Sequence, residues 1–471
     1  MDSFVRQIPL DHDHGTSDRE IELVARKNIN IWLKNASPEV HSWIEESGFN
    51  AKEDKCLVVP RGKSGVQKVV VISDVSEPED LSPYDFAFAN RSVPGGTYRL
   101  STDLSPVALR RFALGWQLGS YRFDRYKTEK SGRKPARLLL PPDVEISDLL
   151  ELSESVFFGR DLVNTPAEDM GPSEISMTVL ELAKCFGAEV EETVGEHLLE
   201  RDCNLIHAVG RASADAPRLL DLRWGDKDAP KVTLVGKAVC FDTGGVLPKN
   251  FAGMRHMKTD MAGGALALAL ARQIMSVSLN VRLRVLIPAV ENSISSNSYR
   301  PGDVFKSRKG LTVEVAHPDG EGRLALADAL ALADEEKPEL LVSMATLTGA
   351  VGEALGEDIA AFLTKDESWE RALLAKSKET ADPMWPLPLG APYKGLLKSK
   401  VADLCHITEG YGAAGSITAA QFLEHFVENA RAYIHIDFSG WNSRPDAGFL
   451  EGGNVTGMRT LFAALQDRYG V

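Results

Sequence analysis

Seven residues between positions 237 and 323 of this 471-residue chain have types and spacings that could do chemistry together: Lys237, Asp242, Lys249, Asp260, Asp319, Glu321 and Arg323. Lys237 lies in KVTLVGKAV (231–239), a strand-like run in which alternation puts it on the face of Val235 and Val239. An ammonium on a buried strand is costly, so this lysine is expected to be neutral, paired with carboxylate, or bound to something electron-poor. Asp242 follows just past the expected strand end, in DTGG, where two glycines let the backbone turn sharply. Lys249 comes seven residues later, after Pro248. Asp260 precedes MAGGALALALARQIM and suits either a helix cap or a metal ligand. In EVAHPDGEGRLALADAL, Asp319, Glu321 and Arg323 alternate along a Gly-spaced loop, so that in extended chain all three aim one way.

Taken singly, each of these residues reads as a cap, a turn or a surface charge. Taken together, Asp242, Asp260, Asp319 and Glu321 total four negative charges, which would repel strongly if they converged alone and which two divalent cations would neutralise. Oxygen ligands suit Mg2+, Mn2+ or Zn2+. A neutral lysine amine tilts the set toward Mn2+, Zn2+ or a similar transition ion such as Co2+.

The elements that must position these residues follow from pattern. Strand-like runs at 231–239, 280–290, 311–317 and 339–347 alternate with Ala/Leu-rich helical stretches, which argues for a mainly parallel sheet flanked by helices. Before them, CLVVP (56–60) and KVVVISDV (68–75) read as strands, and PVALRRFALGWQLGSY (106–121) places Leu109, Phe112, Ala113 and Trp116 on one helical stripe. The basic, proline-bearing tract Lys127–Asp143 marks a domain boundary. The expected architecture is therefore α/β in two domains, 1–135 and 145–471, each with a mixed or mainly parallel sheet flanked by helices and the second catalytic.

Lys and Arg number 53 against 67 Asp and Glu, a net charge of −14 that disfavours broad attraction to nucleic acid or anionic membrane. No run approaches the roughly 20 apolar residues of a membrane span, and the N-terminus lacks a signal-peptide pattern, so a cytoplasmic location is expected. Cys56, Cys185, Cys203, Cys240 and Cys405 are odd in number and contain no CxxC pair, which suits reduced thiols. Gly62-Lys63-Ser64 lacks the glycine a phosphate loop needs and reads as a turn between strands; Asp11-His12-Asp13-His14 reads as a solvated terminal segment. HExxH and a GxSxG elbow are both absent.

The stretches VGKAVCFDTGG (235–245), KTDMAGGAL (258–266) and DGEGRLALADAL (319–330) resemble the signature segments of the leucyl, or cytosol, aminopeptidases, which are dinuclear metallopeptidases. Further likeness runs in order through RDLVNTPAE (160–168), ATLTGAVGEALG (345–356), AGSITAAQFLEHFV (414–427), HIDFSGW (435–441) and GNVTGMRTL (453–461). In the first domain it is confined to LGWQLGSYRFDRYK (114–127) near the end. The resemblance implies that Lys237, Asp242, Asp260 and Glu321 are metal ligands, with Asp242 and Glu321 bridging two ions and Asp319 completing a second, more exchangeable site. It implies that the Lys249 ammonium polarises the scissile carbonyl, that Arg323 holds a bicarbonate ion which shuttles the proton of the attacking water, and that Met257, Thr346, Leu347 and Gly349 line the pocket for the first side chain. It further implies peptide substrates with free N-termini, leucine and other apolar residues being released, and a homohexamer whose sites face an inner cavity. The chain departs from the family's NTDAEGR in reading HPDGEGR, which places His317 at the leaving-residue side of the pocket, and Ser343 stands where an acid is common. His317 also offers itself as a surplus metal ligand. A narrow dipeptidase of the same fold, for instance a cysteinylglycine hydrolase, and a DNA-binding or regulatory role are the alternatives.

Overall fold

The computed structural model describes residues 10–13, 19–61, 65–77, 80, 82–128, 134–408, 410, 412–444 and 451–470. The chain divides into two compact units, with the main division between Phe157 and Phe158.

The first unit is built on a six-stranded sheet of β1 (Leu10–His12), β2 (Glu20–Ala25), β3 (Cys56–Pro60), β4 (Val66–Ser73), β5 (Gly96–Leu100) and β6 (Ala136–Leu140), in the order β1-β6-β5-β2-β4-β3. All pairings are parallel except β3 with β4. Asp11 and His12 thus sit in a paired strand rather than a free terminus, while His14 and Gly62-Lys63-Ser64 lie outside the described residues. The helix Pro106–Gly119 starts on Ser105, whose hydroxyl accepts from Ala108 N, with Pro106 at its first position. Phe112, Ala113 and Trp116 are buried as its periodicity predicts, and Leu109 is half-buried. The proline-bearing tract 127–143 is more than a linker: its second half is β6, and Ala136 O accepts the Trp116 indole N–H at 3.1 Å.

The second unit carries a nine-stranded sheet. Its strands are β7 (Glu189–Val194), β8 (Arg218–Trp224), β9 (Lys231–Gly236), β10 (Ala238–Asp242), β11 (Arg282–Asn292), β14 (Leu340–Ala345), β15 (Ala360–Thr364), β16 (Met384–Pro386) and β18 (Ala432–Asp437). The small strands β12 (Val304–Lys306), β13 (Thr312–Glu314) and β17 (Leu404–Cys405) form a separate sheet. The order β16-β15-β18-β14-β9-β11-β8-β7 has a parallel centre, β18-β14-β9-β11, with antiparallel neighbours outside it. Val235, Leu286 and Leu341 join the core formed with the helices Asn204–Gly210, Glu321–Asp334 and Gly415–Glu424. Their neighbours Leu234, Val285 and Val342 are buried too, on the alternate face, which explains why the central strands read as unbroken apolar runs. The helix Ala262–Ser276 lies so close to this sheet that a Cβ on Gly263 would overlap the Met344 carbonyl, hence its Ala/Gly start.

Register brings the strand ends together. Gly236 pairs with Met344, Ala345 with Asp437, and Asp242 with Asn292. These carboxyl ends of parallel strands are where ligands of open α/β sheets bind.

Candidate active site

The expected strand through Lys237 is broken at that residue: β9 ends at Gly236 and β10 begins at Ala238. Lys237 is 2 % exposed, and its Nζ lies 2.7 Å from Asp260 Oδ1, 2.9 Å from Glu321 Oε1 and 2.9 Å from Thr346 O. Of the three states open to it from sequence, this structure shows the ion-paired one. Burial works against its charge, but Asp260, Glu321 and Asp242 hold the ammonium above the ordinary lysine value. The same lysine, against the burial of Glu321, pulls that carboxylate down to about 2. Burial dominates at Asp260 and pushes it well above its ordinary value.

Asp260 does not cap a helix. It sits in the 3-10 turn Met257–Met261, and the following helix has no side-chain cap. Its Oδ1 faces Lys237 and accepts from Thr346 Oγ1 at 3.1 Å, while Oδ2 is buried with no partner. Glu321 Oε2 is orphaned in the same way.

Asp242 ends β10. Its Oδ1 accepts from Gly244 N at 2.9 Å and from Asn292 Nδ2 at 2.7 Å, and its Oδ2 meets Lys249 Nζ at 2.8 Å. Gly244 and Gly245 have φ of +87° and +65°, the left-handed turn for which the two glycines are needed. Lys249 also pairs with Asp319 Oδ1, and Asp242 and Asp319 hold its ammonium above the ordinary value despite burial. Burial and the nearby Glu321 push Asp242 up to about 7.

Asp242, Asp319 and Glu321 each offer an oxygen within 4.8 Å of the others. These three oxygens, the buried and unpartnered Asp260 Oδ2 beside them, and two lysines among the four acids make a donor set that fits divalent cations. Arg323 is 7 % exposed; Nη1 donates to His406 O at 2.9 Å, Nε has no partner, and burial lowers its pKa to about 10.

These groups open onto one cavity of about 720 Å³. Lys237, Asp242, Lys249, Met257, Asp260, Asp319, Glu321, Arg323, Thr346, Leu347 and Gly349 all line it, so the distant segments converge, which is the condition on which the charge argument rests. His317 does not line it. Its Nδ1 accepts the Asp319 N–H at 3.1 Å and its carbonyl faces His406 Nε2 at 3.0 Å, so it shapes the loop that carries Asp319.

Sequence reasoning missed Asn292, whose amide touches Asp242, and Asp437, whose carboxylate accepts from Leu347 N at 2.9 Å, Thr348 N at 3.3 Å and Thr348 Oγ1 at 2.6 Å. Both end central strands, which was the one signal available for Asn292, whereas Asp437 also lies within HIDFSGW, a stretch singled out from sequence. Phe438 and Ser439 also line the cavity; they lie in HIDFSGW, within a stretch singled out from sequence but without a role given to either.

Among known proteins, the catalytic-domain model of the cytosol aminopeptidase family matches residues 157–462, and the N-terminal-domain model of the M17 aminopeptidases matches residues 20–141. The likeness therefore extends through the first domain instead of only near its end. A probable cytosol aminopeptidase of Xanthobacter autotrophicus is 33% identical over 438 residues, 88% of this chain and 87% of that protein. One of Rhodococcus jostii is 37% identical, covering 80% and 78% respectively. The crystal structure of cytosol aminopeptidase from Coxiella burnetii superposes with a TM-score of 0.90 at 40% identity, covering 98% of this chain and 99% of that one. The bottromycin maturation enzyme BotP in complex with Mn has a TM-score of 0.84 at 29% identity, covering 96% and 99%. With both family models matched and the acidic cavity assembled on the sheet's carboxyl edge, this chain belongs to the cytosol aminopeptidase family.

Proposed function

We propose that this protein is a metal-dependent aminopeptidase that releases leucine and other apolar N-terminal residues from peptides. One observation carries the reading: the Lys249 ammonium opens onto the same cavity as the orphaned oxygens of Asp260 and Glu321.

Asp242, Asp260, Asp319, Glu321 and, once its ammonium has given up a proton to solvent, Lys237 would hold two divalent ions, Mn2+ or Zn2+ by the mixed oxygen and amine donors, with Mg2+ or Co2+ admitted in one site. When bound, such ions supply Lewis acidity toward water, the scissile carbonyl and the substrate's free amine, which restricts cleavage to unblocked N-termini. Lys249 directs its ammonium at the carbonyl oxygen and stabilises the charge that develops there, a contribution worth about 10²- to 10³-fold in rate. Arg323, with one guanidinium edge on His406 O and Nε free, suits an anion such as bicarbonate able to accept and return a proton. Met257, Thr346, Leu347 and Gly349 receive the first side chain, Leu347 and its neighbour Thr348 being held in place by Asp437.

The resemblance supports a homohexamer acting in the cytoplasm; no described helix is long and apolar enough to cross a membrane. The test is hydrolysis of leucine p-nitroanilide, free peptides and their N-acetylated forms by protein stripped of metal and restored with Mn2+ or Zn2+. Release from free N-termini alone, only after restoration, is expected. Cleavage of the acetylated forms, or full turnover in chelator, would refute the reading.

A further inference from the structure

We infer that Asn292 is a positioning residue: with Tyr299 it locks the Asp242 carboxylate to the loop carrying Asp319, so that the two acids reach a cation as one preformed unit. The inference rests on the reading that Asp242 and Asp319 hold metal.

Asn292 ends β11, is 1 % exposed and pairs in register with Asp242 on the neighbouring strand. Its Nδ2 donates to Asp242 Oδ1 at 2.7 Å and to Pro318 O at 3.1 Å. Pro318 O can only accept and Asp242 Oδ1 already accepts from Gly244 N, so the amide nitrogen faces them, and the side-chain Oδ1 is left buried with no partner. Tyr299, 1 % exposed, donates to the same Pro318 carbonyl at 2.5 Å. The backbone carbonyl of Asn292 accepts from Thr243 N at 3.2 Å and Thr243 Oγ1 at 2.6 Å, which ties down the turn after Asp242.

Asn292 Nδ2 and Gly244 N occupy Asp242 Oδ1, and Oδ2 alone turns toward Lys249 and the cavity. Pro318 immediately precedes Asp319, so fixing its carbonyl from two sides fixes where the Asp319 carboxylate emerges. Outer groups that orient a ligand in this way typically govern affinity by about 10- to 100-fold.

The experiment measures Mn2+ binding to the stripped full-length protein by equilibrium dialysis, with the electron paramagnetic resonance of free Mn2+ as readout, for the parent, Asn292→Leu and Tyr299→Phe. Asn292→Leu keeps the approximate volume and removes the donor. It is expected to weaken Mn2+ binding about 10- to 100-fold, and Tyr299→Phe to weaken one of the two binding steps by a smaller factor. Melting of the metal-free proteins reports folding. Should Asn292→Leu fail to fold, Tyr299→Phe, which deletes a single oxygen, carries the test. Parent-like Mn2+ affinity in folded Asn292→Leu, or in Tyr299→Phe when it alone folds, would overturn the inference. If the parent itself binds no Mn2+, the metal reading falls and this inference with it.

Discussion

Lys249 and Lys237 are both lysines among carboxylates, yet their surroundings divide their work. Lys249 is partly exposed and bridges Asp242 and Asp319, whereas Lys237 is sealed between Asp260 and Glu321. Lys249→Ala is therefore expected to lower kcat about 10²- to 10³-fold while leaving Mn2+ affinity equal or higher, because two carboxylates lose a competing cation. Kinetics beside metal titration separates this from a ligand loss, which would reduce both. Gly322→Ala attacks the other lysine: an added Cβ would overlap the Lys237 side chain, and Mn2+ affinity measured on the folded variant should fall. At this scale the sequence was legible where charge forced the issue. Four acids called for cations if their segments met, and all four line one cavity. The break in the strand at Lys237 was not legible, because alternating valines around it imitate a continuous run. Nor was Asn292, whose role depends on strand register that local pattern does not encode.

At the scale of elements, the parallel strands matter for where they stop. β14 and β18 end side by side at Ala345 and Asp437, and Asp437 then ties the Leu347–Thr348 segment into the pocket wall with hydrogen bonds from two backbone amides and a hydroxyl. Asp437→Ala would strand those donors and loosen the wall without touching Lys249 or the acids. The expected result is a rise in KM for leucyl substrates of about tenfold with a smaller change in kcat; an unchanged KM would contradict it. Periodicity revealed the strands and the amphipathic helix Pro106–Gly119 because one face of each meets the core. It obscured the tract 127–143, where basic residues and prolines masked ARLLL, a strand buried against its neighbours. Of the two roles that sequence left open for Asp260, the cap is not taken, because Asp260 lies inside the 3-10 turn Met257–Met261 and Met261 holds the cap position of the helix that follows.

For the molecule as a whole, two buried histidines set an acid limit. Burial, and the neighbouring Arg323, hold His406 and His435 down to about 3, against an ordinary value near 6.5. The folded chain keeps them neutral, while the unfolded chain takes up protons below about pH 6.5. Their contribution is complete above that pH and declines toward pH 3 by up to about 1.4 kcal/mol per unit for each histidine. Melting between pH 7.5 and 5 should show a smaller drop in Tm for His435→Gln than for the parent; equal slopes would contradict the assignment.

The acids of the second unit meet at the edge of its parallel sheet in one cavity, and the central question is whether that cavity works with two ions. The most direct measurement titrates Mn2+ into stripped protein while following bound metal and leucine p-nitroanilide hydrolysis together. Two ions per chain, with hydrolysis rising as they bind and lost in Asp260→Ala, is the predicted result. Full hydrolysis with no metal bound, or an Asp260→Ala variant that binds two ions and turns over like its parent, would contradict it.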